Sequence, residues 1–202
     1  FVQIRENVRE KDVFVVQSCT APVGDTSIAV FIILGALRSA SARRITAVSP
    51  YVSYARSDMI DAPRISISGR LLADLTRPAG ADRVLTMDLH SDAVHGFFSI
   101  PVDHLTAIPY FVDQFRGKLG LDNAVVVATD AGGAKRAGRF AKRIHLPMAI
   151  IDKRRVADTE VVQGLVVGEV KGRDAIIFED EISTGGTLAA SVKTLAAAGV
   201  KS

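Results

Sequence analysis

The chain has 202 residues, 48% of them hydrophobic and 23% charged, with a formal net charge of +3; this is globular composition and excludes a disordered or low-complexity protein. Cations and acids are mixed along the chain, and the 6% aromatic content is not interleaved with the cations, so no nucleic-acid module is expected. The longest apolar run, 28–37, is too short to span a bilayer, no signal peptide opens the sequence, and a single cysteine, Cys19, fits a reducing cytoplasm without membrane attachment.

Taken in chain order, strand-like runs rich in β-branched residues are predicted at 12–18, 44–51, 83–90, 124–130, 148–153 and 175–180. Each is almost continuously apolar, as expected of strands covered on both faces. Helical patterns fall between them at 26–40, 66–77, 108–119, 132–144 and 187–198. Strand–helix alternation predicts an α/β protein built on parallel sheets. The stretch "VVQGLVVGEVKG" (161–172) is broken by glycines into short extended pieces and reads as the arm of a hairpin. Pro109 is placed to open a helix, so two units are expected: 1–108 and 109–202. An opening strand-like segment and a stop just after the last helix suggest a chain cut short at both ends.

The polar residues sit at the C-terminal ends of the predicted strands, where open parallel sheets bind ligands. After the last strand comes "EDEISTGGT" (179–187). Its Ser-Thr-Gly-Gly-Thr turn offers hydroxyls and backbone N–H groups at a helix N-terminus, a cradle for phosphate. Glu179 and Asp180 beside it suit sugar hydroxyls or Mg²⁺, so one sugar phosphate satisfies both halves. "DAGGAKR" (130–136) repeats the design, with glycines and cations at a helix start; read alone, it is also an ordinary strand–helix turn. His90 ends a strand beside Asp88 and could ligate metal, although a lone histidine there equally reads as a capping or core residue. His95, His104 and His145 keep that plainer reading. "DKRRVADTE" (152–160) places three cations after a strand, either as a solvated run or as a loop that closes over phosphates. Ser66 is a plausible N-cap for the helix that follows "YARSDMIDAPR" (54–64).

"IIFEDEISTGGTL" (176–188) resembles the phosphoribosyl-diphosphate-binding motif of the type I phosphoribosyltransferase fold. Together with "PYVSYARSDMIDAPRISISGRLLADL" (50–75), "TMDLHSDAVHGFFSIPVDHL" (86–105) and "ATDAGGAKRAGRFAKRI" (128–144), it resembles the ribose-phosphate diphosphokinases, or phosphoribosyl-diphosphate synthetases, over essentially the whole chain.

That resemblance implies two phosphoribosyltransferase-like units, each a parallel sheet flanked by helices. It implies Mg²⁺-dependent transfer of the diphosphoryl group of ATP to ribose 5-phosphate. It assigns Arg56, Ser57 and Asp61 to ATP, and His90 to ATP or metal. Asp130 goes to metal, and Asp130, Ala131, Gly132, Gly133, Ala134 and Lys135 to the diphosphate loop. Lys153 and Arg155 begin the catalytic loop. Glu179 and Asp180 take the ribose hydroxyls, while Ser183, Thr184, Gly185, Gly186 and Thr187 take the 5-phosphate. A homo-oligomer built from dimers is implied as well. Within this pattern Glu179 stands where the family more usually has Asp, Glu181 stands at a usual hydrophobic position, and Ser57 stands at a usual Gln. Met59 and Ile60 stand where the family has charged residues. A non-catalytic subunit of the same fold is the alternative reading, since the ATP stretch and the loop after Arg155 are altered.

Overall fold

Alternating strands and helices build two four-stranded sheets here, one in residues 1–106 and one in 107–202. The structure, a computed structural model, describes residues 2–116, 121–152, 155–157, 160–161 and 164–202; for 155–157 and 160–161 it describes the backbone alone.

In the first unit the strands β1 (Asp12–Val16), β2 (Arg44–Ser49), β3 (Arg83–Met87) and β4 (Val102–Leu105) lie side by side in that order, all parallel. Between them run α1 (Val23–Ser39), α2 (Ser68–Ala79) and the short α3 (Asp92–His95). Val30, Leu34 and Leu37 recur along α1 at helical spacing and pack on Val15, Ile45, Ala47 and Val84 of the sheet. Asp12 is tied to Arg43 at 3.0 Å and to Arg44, its partner in register, at 2.7 Å. These cations hold its carboxyl below the usual range, the Arg43 hydrogen bond most of all. Arg83 Nη1 likewise grips both oxygens of Asp103 on the neighbouring strand, at 2.8 and 2.7 Å.

The second unit places β5 (Ala124–Ala128) in the middle of a four-stranded sheet ordered β10 (Asp174–Phe178), β5, β6 (Met148–Asp152) and β9 (Leu165–Val167). Every residue of β5 is buried. Val126 and Ala128 face α4 (Ile108–Arg116) and α5 (Ala134–Arg143), whereas Val125 and Val127 meet Leu195 of α6 (Gly186–Ala197). The result is helix, sheet and helix in three layers. Phe140 of α5, 1% exposed, is stacked on Phe178 with ring centres 5.0 Å apart and meets Phe115 edge-on. Burying one such ring contributes about 1.5–3 kcal/mol.

The strand–helix pattern predicted from sequence is present, with three differences. The second sheet is mixed rather than parallel throughout, because β9 returns antiparallel to β6, with Leu165 opposite Asp152. The chain leaves β6 through a short ribbon, β7 (Arg155–Ala157) paired with β8 (Glu160–Val161), and comes back along the same edge. A crossover helix is what would make the returning strand parallel, and none intervenes among the described residues. Second, residues 102–105, expected near a break between units, form β4 within the first sheet. With only Val102 and Leu105 apolar, it is too short to declare a period. Third, α2 starts at Ser68 with Ile67 preceding it, so Ser66 is not its N-cap. No helix among the described residues is long and apolar enough to cross a membrane.

Cys19 is buried beside a cavity of about 50 Å³ that Ser27 and Ser53 also line. Burial pushes its thiol up, while hydrogen bonds from those hydroxyls act the other way. Alkylation of Cys19 in the folded protein should be at least about tenfold slower than in the urea-unfolded protein; equal rates would contradict this burial.

Candidate functional site

In the first unit the candidate residues lie on the loops that follow β2 and β3. The β2 loop, 50–67, is held against the start of α2 by backbone approach. Gly69 donates its N–H to Ser57 O at 3.2 Å, and a Cβ on Gly69 would come to 3.0 Å from Tyr54 O. Only glycine fits this crossing without displacement. Ser57 does the capping that Ser66 does not: its Oγ accepts the Ser68 N–H at 3.1 Å and donates to Ser66 O at 3.0 Å. Arg56 and Asp61 are exposed on this loop, together with Met59 and Ile60.

The β3 loop carries His90, which is half-buried. Ser91 donates its hydroxyl to Asp58 Oδ2 at 2.5 Å, joining the loop that bears His90 to the loop that bears Arg56 and Asp61. From β4, His104 Nε2 accepts the N–H of Leu89 at 3.0 Å, so that nitrogen carries no proton. Tyr54, Arg64 and Asp88 all have positive φ, at 59°, 66° and 46°. Such backbone is costly for non-glycine residues and clusters at binding sites.

In the second unit the register of β10 on β5 decides the geometry. Ala128 pairs with Phe178, so the next residues along each strand, Thr129–Asp130 and Glu179–Asp180, emerge side by side at the same end. Thr129, 1% exposed, donates its hydroxyl to Glu179 Oε2. Glu179 Oε1 accepts the Asp180 N–H at 3.2 Å. Asp180 forms an ion pair with Arg136 Nη1 of α5 at 2.9 Å, both side chains largely buried. Asp130 Oδ1 accepts the N–H of Gly133 at 2.9 Å and thereby shapes the turn Ala131-Gly132-Gly133 into α5, which starts at Ala134 followed by Lys135. Beyond Asp180 the chain runs over an exposed turn to α6. Gly185 takes φ +78° as N-cap, the left-handed conformation that suits glycine, and Thr184 Oγ1 accepts the Gly186 N–H at 3.4 Å. Ser183, Thr184, Gly186 and Thr187 are exposed at that helix start, where backbone N–H groups and the helix dipole favour an anion.

Glu179 is held above the ordinary glutamate value of 4.5, first by burial and then by the neighbouring Asp180 carboxyl; the Thr129 hydroxyl and the Asp180 backbone N–H act the other way. The cause is local: two carboxylates share a strand tip of low polarity. Among the described residues no group of three or more His, Cys, Asp or Glu is placed to hold a metal. Mg²⁺ keeps waters and takes one or two carboxylates plus substrate phosphates. The hard oxygen donors of Asp130 and Asp180 at adjoining strand tips fit that mode of binding. Lys153 lies outside the described residues, and Arg155 opens β7. Sequence reasoning counted Thr129 only among the polar strand tips expected to converge on a site, without a role of its own, and read Arg136 only as a cation beside the loop. Nothing in a single sequence says that β5 and β10, about 50 positions apart, are neighbours.

Two family models match the chain. The one described as the N-terminal domain of ribose phosphate pyrophosphokinase covers residues 1–80, and the one described as the phosphoribosyl transferase domain covers 107–202. The chain belongs to the ribose-phosphate pyrophosphokinase family. A ribose-phosphate pyrophosphokinase of Deinococcus radiodurans is 50% identical over 201 residues, 99% of this chain and 63% of that protein. One from Rhizobium meliloti is 47% identical over 195 residues, 96% of this chain and 63% of that protein. The crystal structure of phosphoribosylpyrophosphate synthetase from Mycobacterium smegmatis superposes with a TM-score of 0.91 at 41% identity, covering 100% of this chain and 65% of that one. The chain therefore spans under two thirds of the length of the pyrophosphokinases it matches.

Ser57→Ala should destabilise the first unit by about 1 kcal/mol through the lost cap, read from urea unfolding; an unchanged midpoint would mean the capping bonds carry nothing. For Glu179 the sign is that of a raised acid. The folded state holds its proton more tightly than the unfolded chain, so stability is lost as pH rises from 4.5 through the raised value. Relative to wild type, Glu179→Gln should therefore gain thermal midpoint between about pH 4 and about pH 7. A constant difference over that range would contradict the burial argument.

Proposed function

We propose that the protein is a ribose-phosphate diphosphokinase, which transfers the diphosphoryl group of Mg·ATP to the anomeric hydroxyl of ribose 5-phosphate and yields phosphoribosyl diphosphate and AMP. The observation that carries this reading is the pairing of strand tips in the second unit. It sets two acids, Glu179 and Asp180, beside the glycine turn that opens α5 and at the foot of the turn that opens α6.

In this reading Glu179 and Asp180 accept hydrogen bonds from the ribose hydroxyls. Ser183, Thr184, Gly185, Gly186 and Thr187 hold the 5-phosphate by hydroxyl and backbone donors. The loop from Asp130 to Lys135 receives the diphosphoryl group. In the first unit Arg56, Ser57 and Asp61 serve ATP, and His90 serves ATP phosphate or metal. The anomeric oxygen forms its bond to the β-phosphorus as the bond from that phosphorus to the α,β-bridging oxygen breaks; AMP departs with the bridging oxygen, and the hydroxyl proton passes to solvent. Mg²⁺, with ligands including Asp130, would screen the charge on the transferred phosphoryl oxygens. Lys153 and Arg155 stabilise the same charge as it moves. Such chemistry is mainly positioning and electrostatics, which suits a site made of strand tips and helix starts.

The lone cysteine supports a reducing, cytoplasmic setting. Phe14 and Val16 on the edge strand β1, 59% and 68% exposed, support assembly into a homo-oligomer. The test is AMP release by the full-length protein supplied with Mg·ATP. Release should depend on ribose 5-phosphate, and Lys153→Ala should cut turnover by about a hundredfold or more while ribose 5-phosphate still binds. Ribose 5-phosphate binding without any AMP release would favour a non-catalytic subunit instead.

A further inference from the structure

Glu179 is one methylene longer than the aspartate usual at the first acid of this motif, and the structure gives that extra reach an occupation. From the tip of β10 its carboxylate leans across to the tip of β5, where Thr129 donates to Oε2. Thr129 is 1% exposed, so its hydroxyl is a buried donor whose partner is this carboxylate. Oε1 is tied at 3.2 Å to the Asp180 N–H. A carboxylate has about four acceptor positions, and these two bonds hold one position on each oxygen. Asp180, the second acid, is anchored separately by Arg136. The two acids are therefore fixed by different elements, one through β5 and one through α5.

We propose that Thr129 is a positioning residue for ribose 5-phosphate: its hydroxyl clamps Glu179 across the β5–β10 pair and fixes the carboxylate that meets the sugar hydroxyls. Thr129 touches no substrate atom in this account and acts through Glu179 alone. Aspartate at 179 would be too short to reach it, so the hydroxyl at 129 and the glutamate at 179 form a matched pair.

This inference rests on the ribose 5-phosphate reading above. Its test is a double-mutant cycle in the full-length protein, with ribose 5-phosphate affinity measured calorimetrically and AMP formation measured alongside. Thr129→Val keeps the shape and removes the donor; it should weaken binding about tenfold while turnover at saturation changes less than about threefold. Thr129→Ser, which restores the hydroxyl, should bind within about twofold of wild type. Glu179→Asp should lose affinity by itself, and adding Thr129→Val to it should cost little more, because the clamp is already broken. Wild-type affinity in Thr129→Val, or a full additional loss in the Glu179→Asp background, would overturn the clamp. If the wild-type protein bound no ribose 5-phosphate, the substrate reading would fall. The same four proteins compared by thermal unfolding would then still decide whether Thr129 and Glu179 are coupled, additive midpoints refuting it and non-additive ones supporting it.

Discussion

The parallel register of β10 on β5 is the constraint on which the rest of the candidate site depends. Side chains alternate along strands, and a slip of one residue turns each to the opposite face. Here Ala128 opposite Phe178 sends Thr129 toward Glu179, buries the whole of β5 between two layers of helix, and lets Phe178 stack on Phe140. The hydrophobic core and the polar tip thus enforce the same register from two directions. Shifting the strands to improve one would wreck the other, which is the consistency expected of a well-specified fold.

Electrostatics at that tip are balanced rather than relaxed. Glu179, Asp180 and Asp130 bring three carboxylates to adjoining strand ends. Arg136 answers one, the Gly133 N–H another and the Thr129 hydroxyl the third. Each acid thereby has a partner of its own, and the residual strain shows as the raised value of Glu179. Arg136 matters most where burial is deepest, since removing one member of a largely buried pair leaves the other without compensation. The first unit solves a different problem: two long loops must be held at fixed places, where a small apolar cluster of Ala55, Leu89 and Val94 packs between them. It uses Gly69 for close approach, Ser57 as a remote cap, Ser91 on Asp58 as a tie, and His104 as an acceptor from the neighbouring strand.

The sequence made the strands legible because a strand buried on both faces is an apolar run with little rival interpretation, and 124–128 is the clearest case. The "EDEISTGGT" turn was legible as well, since glycines, hydroxyls and acids at a strand–helix junction admit few uses. Short β4 was not, having only two apolar residues among Asp103 and His104. The return of β9 was legible as a hairpin arm in the glycine-broken stretch 161–172, but not which strand it would pair with, because that depends on what connects it and not on its own composition. Ser66 resembled a cap on local grounds alone, whereas the actual cap, Ser57, comes from 11 positions upstream of Ser68. Thr129 and Arg136 gain their roles only from neighbours distant in the chain.

The most direct measurement of the central claim is a titration of the protein with ribose 5-phosphate, followed by backbone amide chemical shifts. The account predicts that the amides of Asp180, Thr184, Gly185, Gly186 and Thr187 move together at saturation, while those at the opposite end of the same sheet, such as Arg173 and Asp174, stay in place. Saturable shifts confined to any other part of the molecule, with the turn before α6 unmoved, would contradict it.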